Sequence, residues 1–294
     1  MAIWALIFNH QAKTSDHTSR LEVEQFFADH QAQFRSYVCD PDHDIVAVAR
    51  QAIADGADTL VAGGGDGTIS AVAAVVVDSP GVSLAVLPLG TYNNFAKTLG
   101  IPLTLADALP VVLRRNLVTI DIGQVNDVTF LNNSGIGVYP QLVKKREAEQ
   151  GRGSSKRWAL CKALWHACLH YPMLDLEFHL DGTLIRRCTP LVFVGNNQYR
   201  LSADSFGTRE SLQESTLSLF ITRATTYSGF IRLLAKALLG TIAEDADFDV
   251  FVVDQFAVVP KKKWLHVSVD GEVKSMKAPL HYRILPRALS VVSI

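Results

Sequence analysis

Thr59-Leu60-Val61-Ala62-Gly63-Gly64-Gly65-Asp66-Gly67-Thr68-Ile69-Ser70-Ala71-Val72 reads as an apolar strand, a glycine-rich loop and an apolar helix in one unbroken stretch. A little further on, Val82-Ser83-Leu84-Ala85-Val86-Leu87 feeds a second loop, Pro88-Leu89-Gly90-Thr91-Tyr92-Asn93-Asn94-Phe95-Ala96-Lys97, which again opens a helix. Glycine has no Cβ, so backbone N–H groups in such loops can turn toward an anion, and the helix start adds the positive end of its dipole. One such loop is as well read as a plain strand-to-helix turn; two in succession read as a nucleotide-phosphate site. A dinucleotide fingerprint G-x-G-x-x-G fails, because counting from Gly63 the third glycine position is Thr68, and a Walker A loop fails for want of Gly-Lys-Ser/Thr. An aspartate among phosphate-binding amides would repel phosphate unless a divalent cation lay between them. Asp66 therefore calls for Mg²⁺.

Working outward, residues 1–118 alternate strand and helix patterns. Ile3–Phe8 reads as a strand, Ser19–His30 as a helix and Phe34–Val38 as a second strand. Asp40-Pro41 reads as an N-cap with proline at the first helical position, opening a helix that keeps Ile45, Val46, Ala49 and Ile53 on one side and stops at Gly56. Strand Thr59–Ala62, helix Thr68–Val77, strand Val82–Leu87 and a short helix near Asn94–Leu99 follow, the last ended by Gly100 and Pro102. Such alternation predicts a parallel sheet with ligands beyond the carboxyl ends of its strands, where both glycine loops fall.

From about residue 119 the pattern turns β-rich. Val118–Ile122, Thr129–Leu131, Leu176–Leu180, Thr183–Arg186, Leu191–Val194, Leu217–Ile221, Phe248–Val253 and Leu265–Val269 read as short strands, with Asp181-Gly182 as a two-residue hairpin turn. Helices are expected at Lys156–His170 and roughly at Gly229–Gly240. The expected fold is thus an α/β nucleotide-binding domain over 1–118, completed by 280–294, and an antiparallel β domain over 119–279.

Bulk properties bound the function. The 294 residues suffice for two domains, since single cores stop growing at roughly 250–300 residues. Hydrophobic content of 48% and charged content of 19% indicate a sizeable core, and a net charge of −1 excludes nucleic acid as a partner on charge grounds. The four cysteines, Cys39, Cys161, Cys168 and Cys188, show no CxxC spacing and read as reduced thiols of a cytosolic protein; the nine histidines show no metalloprotease spacing. Met1–Asn9 lacks a basic leader and a small-residue cleavage site, so it reads as a first buried strand. The longest apolar run, about nine residues around Ala71–Val77, falls well short of the ~20 that span a bilayer. A soluble, cytoplasmic protein is expected.

The two loops together make a resemblance specific. GGGDGT followed by PLGTYNNFAKTLGIP resembles the catalytic domain of the diacylglycerol kinase and sphingosine kinase superfamily, in its bacterial lipid-kinase branch. The likeness continues through Val125-Asn126, Phe130–Gly137 and Phe193-Val194-Gly195-Asn196-Asn197 to Val269-Asp270-Gly271-Glu272, essentially the whole chain. It implies an N-terminal domain of the phosphofructokinase and NAD-kinase type, a C-terminal β-sandwich, and ATP in the cleft between them. It also implies ATP- and Mg²⁺-dependent transfer of the γ-phosphoryl group to a lipid hydroxyl, diacylglycerol first and a sphingosine- or ceramide-type lipid next, as a step of phospholipid metabolism. A NAD kinase shares GGDGT, but the GT-x-N-x-x-A loop argues against it. A nucleotide-binding regulator with lost catalysis is the rival of a different class.

On that resemblance Gly63, Gly64, Gly65, Gly67 and Thr68 cradle phosphates, Gly90, Thr91 and Asn93 form the opposing wall, Asn9 survives from an N-terminal turn, and Asp66 organises Mg²⁺. Asp270 is expected as the general base that takes the hydroxyl proton, with Glu272 beside it for cofactor contacts; such a base is worth ~10²–10⁴ in rate. Asp66 competes for the base role, and Asp270-Gly271, read on spacing alone, is an ordinary hairpin turn like Asp181-Gly182. Asn94 stands where many relatives carry Asp or His, which removes any carboxylate role there. Glu214-Ser215-Thr216-Leu217 replaces a metal-binding Asp-Asp-Gly-x-Leu segment, which puts that structural metal in doubt. The partners expected are a lipid substrate and a transient membrane surface, with a homodimer left open. The basic stretch Lys144-Lys145-Arg146, Arg152 and Lys156-Arg157 ahead of an aromatic helix reads either as a membrane contact or as a solvated loop, and Lys261-Lys262-Lys263 as a solvated turn.

Overall fold

The computed structural model describes residues 2–9, 17–39, 44–138, 173–201, 206–209, 211–239 and 244–294. The chain divides into two units, Met1–Ile120 with Pro286–Ile294, and Asp121–Leu285.

In the first unit β1 (Ile3–Asn9), α1 (His17–Asp29), β2 (Gln33–Cys39), α2 (Ile45–Ala54), β3 (Thr59–Gly64), α3 (Asp66–Val77), β4 (Ser83–Pro88), α4 (Asn94–Thr98) and α5 (Leu105–Arg114) follow one another. The strands pair in parallel in the order β2-β1-β3-β4. Every residue of β3 and β4 is buried, as expected of parallel strands covered on both faces. The chain's last strand closes this sheet, with Val291 beside Leu84. The Asp40-Pro41 cap falls outside the described residues. Helix α2 is instead capped by Asp44, whose carboxylate accepts from Val46 N at 3.3 Å, and it ends before Gly56 at φ +95°. Helix α5 is an addition to the expected elements. Thr104 caps it, and Pro110 within it hid its helical pattern from a reading that stops helices at proline.

Among the described residues the second unit is built of two larger antiparallel sheets and a two-stranded one. Its strands are β5 (Leu117–Val125), which leads into it, β6 (Val128–Phe130), β7 (Asn133–Gly137), β8 (Leu174–Leu180), β9 (Thr183–Thr189), β10 (Leu191–Asn196), β11 (Tyr199–Leu201), β12 (Phe206–Arg209) and β13 (Leu217–Thr222). After α6 (Tyr227–Leu239) and α7 (Glu244–Asp247) come β14 (Phe248–Val253), β15 (Gln255–Pro260), β16 (Trp264–Val269), β17 (Glu272–Lys277) and β18 (Leu280–Val292). One sheet runs β14-β13-β10-β7-β16-β17; the other joins β18, β15, β8 and β9 in that order. Ile136, Val192, Leu219 and Val267 of the first meet Phe178, Phe256, Val258 and Tyr282 of the second in one apolar cluster, which makes the unit a sandwich. The Tyr282 phenol is fully buried in it and pairs with Ser134 Oγ at 3.0 Å; burial pushes its pKa well above the ordinary value. The expected helix at Gly229–Gly240 is α6, and the expected helix at Lys156–His170 lies outside the described residues.

Candidate active site

The parallel register brings the carboxyl ends of β1, β3 and β4 to one edge: Phe8 lies opposite Gly63, and Gly64 opposite Pro88. Both glycine loops therefore leave the same edge, and they touch. A Cβ built on Gly90 would fall 2.4 Å from Gly65 Cα and 3.1 Å from Gly65 N, so the two loops meet backbone against backbone. Only glycine at 90 permits that approach. Asp66 adds a second tie, its Oδ1 accepting from Phe95 N at 3.1 Å at the start of α4.

Within the second loop Asn93 sits at φ +51° with its side chain folded inward. Oδ1 accepts from Gly90 N at 2.9 Å, and Nδ2 donates to Pro88 O at 3.1 Å and to Gly90 O at 2.9 Å. Asn93 thus shapes the loop, while the exposed Thr91 and Asn94 line its outer side. The Asn93 amide is consumed by its own loop. At the first loop Thr68 is buried and accepts from Asn9 Nδ2 at 3.1 Å, which pins the end of β1 to the first turn of α3. Gly65 is the N-cap of α3 and supplies no side-chain cap to the N–H groups that follow. An uncapped start of a twelve-residue helix, beside a bare glycine backbone, is an anion-binding arrangement.

The residues fit a metal that arrives with phosphate better than a resident one. Among the described residues no group of three or more His, Cys, Asp or Glu is placed to hold an ion. Mg²⁺ commonly needs only one or two carboxylates besides the phosphates themselves, and Asp66 meets that requirement. Glu214 is engaged elsewhere: its Oε2 accepts from Gln198 N at 2.9 Å, and Ser215 N donates to Asp121 Oδ2 at 2.6 Å.

In the second unit Asp270 and Gly271 form the two-residue turn between β16 and β17, at φ +48° and +91°. The turn reading of this pair is correct, and the structure adds what spacing could not show. The Asp270 carboxylate accepts from three consecutive backbone amides, Leu131 N at 2.7 Å to Oδ2, and Asn132 N at 2.8 Å and Asn133 N at 3.1 Å to Oδ1. These donors lie more than 130 positions away in sequence, so no local pattern announces them. The Leu131 carbonyl is held by Asn196 and Arg209 and the Asn132 carbonyl by Tyr199, none of them foreseen as contributors to the site, while Asn133 O accepts from Asp270 N. Glu272 is exposed on β17, with Lys274 Nζ 3.6 Å away.

Two open hollows mark this unit, of about 490 and 600 Å³. Charged and polar groups stand in the lining of both, Asp175, Arg186, Arg187 and Lys261 in the smaller beside Leu176, Val259 and Pro260, and Asp127, His179, Asp181 and Arg283 in the larger beside Phe256. In the smaller, Lys261 Nζ lies 2.7 Å from Asp175 Oδ2; the hydrogen bond holds the carboxyl below its ordinary range and the ammonium above its own. Burial, then the hydrogen bond to Asp175, pushes the Cys188 thiol up, which keeps it protonated and a poor nucleophile.

Residues 4–125 match the family model described as the diacylglycerol kinase catalytic domain. A protein of Enterobacter sp. (strain 638) named "Probable lipid kinase YegS-like" is 34% identical over 248 residues, covering 80% of this chain and 78% of that protein. The chain belongs to the YegS-like lipid kinase family. A YegS-like relative from Citrobacter koseri is 47% identical over 98 residues, covering 32% of this chain and 33% of the relative; the segments shared with the most similar relatives span about a third of their length. A crystal structure titled as a diacylglycerol kinase from Bacillus anthracis str. Sterne superposes with a TM-score of 0.73 at 20% identity, over 99% of this chain and 96% of that one, and shows that the fold is shared. Among the described residues of this lipid kinase family member, no helix is long and apolar enough to cross a membrane.

Proposed function

We propose that the protein is an ATP- and Mg²⁺-dependent kinase that phosphorylates a lipid hydroxyl, with diacylglycerol as the first acceptor to test. One observation carries the reading: in a chain of this family, two glycine loops meet backbone to backbone at the carboxyl edge of a parallel sheet, with a carboxylate between them. Phosphoryl transfer asks little covalent chemistry of a protein and much positioning and charge neutralisation. The N–H groups opening α3 and the bare backbone at Gly63–Gly65 and Gly90 would hold phosphate oxygens. Asp66 spends one oxygen on Phe95 N and would offer the other to Mg²⁺, which supplies charge neutralisation when bound. Asn9 and Thr68 fix the first turn of α3, and Asn93 fixes the second loop.

Asp270 is assigned the proton of the acceptor hydroxyl. Its backbone partners aim the carboxylate, and proton transfer to such a group late in a loose transition state does not require a strong base. Because the acceptor resides in a bilayer, transient contact with an anionic membrane surface belongs to the same proposal. The basic stretch at 144–157 lies outside the described residues, whereas Lys262 and Lys263 are exposed beside Trp264, itself 55% exposed. A tryptophan flanked by lysines suits a lipid interface.

The test is transfer of ³²P from ATP–Mg²⁺ to lipids in mixed micelles (diacylglycerol, sphingosine, ceramide, phosphatidylglycerol), by wild type, Asp66→Asn and Asp270→Asn, with ATP binding and folding measured alongside. A labelled lipid that is lost in the folded variants supports the reading and names the acceptor. ATP binding with no labelled lipid would overturn it in favour of a nucleotide-binding regulator.

A further inference from the structure

The geometry points to Arg209 as a positioning residue for Asp270, acting through the Leu131–Asn132 peptide group. Arg209, at the end of β12, sends Nη1 to Leu131 O at 2.7 Å and Nη2 to Asn132 Oδ1 at 2.9 Å, with its guanidinium carbon 5.3 Å from the centre of the Tyr199 ring. Among the described residues no carboxylate pairs with it. The peptide unit whose oxygen it holds, Leu131 C=O with Asn132 N–H, donates at its other end to Asp270 Oδ1 at 2.8 Å. Asn196 Nδ2 donates to the same Leu131 oxygen at 2.9 Å.

The next peptide unit is held in the same direction, but by neutral donors. Asn132 O accepts from Tyr199 Oη at 2.9 Å and from Asn196 N at 3.0 Å, while the attached Asn133 N–H donates to Asp270 Oδ1 at 3.1 Å. A cation at the carbonyl end and an anion at the N–H end polarise a peptide in the same sense, and hydrogen bonds so chained strengthen one another. Arg209 and Asp270 thus face each other across one oriented peptide group. The carboxylate gains a fixed direction from these amides.

This inference rests on Asp270 as the base, so its test reads the link both with and without catalysis. Arg209→Gln removes the charge and half the fork; Arg209→Lys keeps the charge and loses the fork, and serves if the glutamine variant folds poorly. In amide ¹H–¹⁵N spectra, the strongly hydrogen-bonded Asn132 proton moves upfield in either variant. The Leu131 proton moves less, because its own peptide carbonyl is not an Arg209 acceptor. Turnover falls by about tenfold with little change in KM for ATP or lipid, and in an Asp270→Asn background Arg209→Gln adds no further loss. An unmoved Asn132 amide, or losses that multiply in the double variant, would overturn the link. Full turnover by a folded Asp270→Asn protein would remove the base reading instead, and the Asn132 amide would still decide whether Arg209 governs Asp270.

Discussion

Single atoms decide the most here. At position 90 a methyl group would sit 2.4 Å from a backbone carbon of the other loop, whereas at position 65 the same methyl would lie 3.6 Å from Gly90 Cα, an ordinary contact. Gly90→Ala is therefore expected to cost about 1–3 kcal/mol in urea unfolding and to weaken ATP binding, while Gly65→Ala costs markedly less. Equal losses would show that the loops do not touch as described. Asp270→Asn carries a second consequence. Three N–H donors face a carboxylate that accepts at both oxygens, so an amide NH₂ must confront one of them. The variant should lose about 1–3 kcal/mol of stability, more than a surface Asp→Asn change, and a null result in denaturant melts would argue that the carboxylate is not held this way. Residues of these two kinds differ in how far the sequence discloses them. The glycines and Asp66 are legible because a loop's chemistry is local. The grip on Asp270, and Arg209 behind it, are not, because strand pairing brings their segments together and spacing records no strand order.

At the scale of elements, local rules held where pattern and environment agree. The fully apolar runs at β3 and β4 and the Asp-Gly turns read correctly, since parallel strands are buried on both faces and a two-residue hairpin needs positive φ. Strand β7, Asn133–Gly137, is quoted in the sequence only as a motif, because two glycines and a serine resemble a loop. Its central residues are buried between β10 and β16, where neighbours rather than propensity fix the strand. A different inter-strand tie gives a pH prediction. Asp249 on β14 accepts from Arg187 Nε of β9 at 3.0 Å and from Arg223 Nε, just after β13, at 2.8 Å. Burial alone would push this carboxyl up, but the two guanidinium hydrogen bonds outweigh it and hold it below the ordinary 3.8. A folded-state value below the unfolded one means the tie stabilises fully above about pH 3.8 and is lost as pH falls through the lower folded value. Asp249→Asn should thus cost about 1 kcal/mol in denaturant melts at pH 7, and the gap to wild type should narrow in melts below pH 3.8. A gap that persists unchanged at acid pH would show that charge is not what the tie contributes.

On the proposed function the whole molecule divides its labour by unit: all the glycine-loop residues belong to Met1–Ile120, and Asp270 with its amide cradle to Asp121–Leu285. Nucleotide binding should then be visible as stabilisation of one unit alone. A ligand at a hundredfold excess over its Kd stabilises what it binds by about 2.7 kcal/mol. With ATP–Mg²⁺ present, hydrogen exchange should slow in the segments Gly63–Thr68 and Gly90–Phe95, and stay unchanged at the Asp181-Gly182 turn of the other unit. Asp66 sharpens the experiment, because asparagine at this position keeps an oxygen for Phe95 N while giving up the charge. Asp66→Asn should retain the fold and the loop contact, yet its protection by ATP should no longer depend on Mg²⁺. Asp66→Ala, which loses the cap as well, should also exchange faster around Phe95 without any ligand. If Mg²⁺ still deepens protection in Asp66→Asn, the metal is held by another group and Asp66 is a cap alone; if ATP protects neither glycine loop, the carboxyl edge of this sheet is not the nucleotide site.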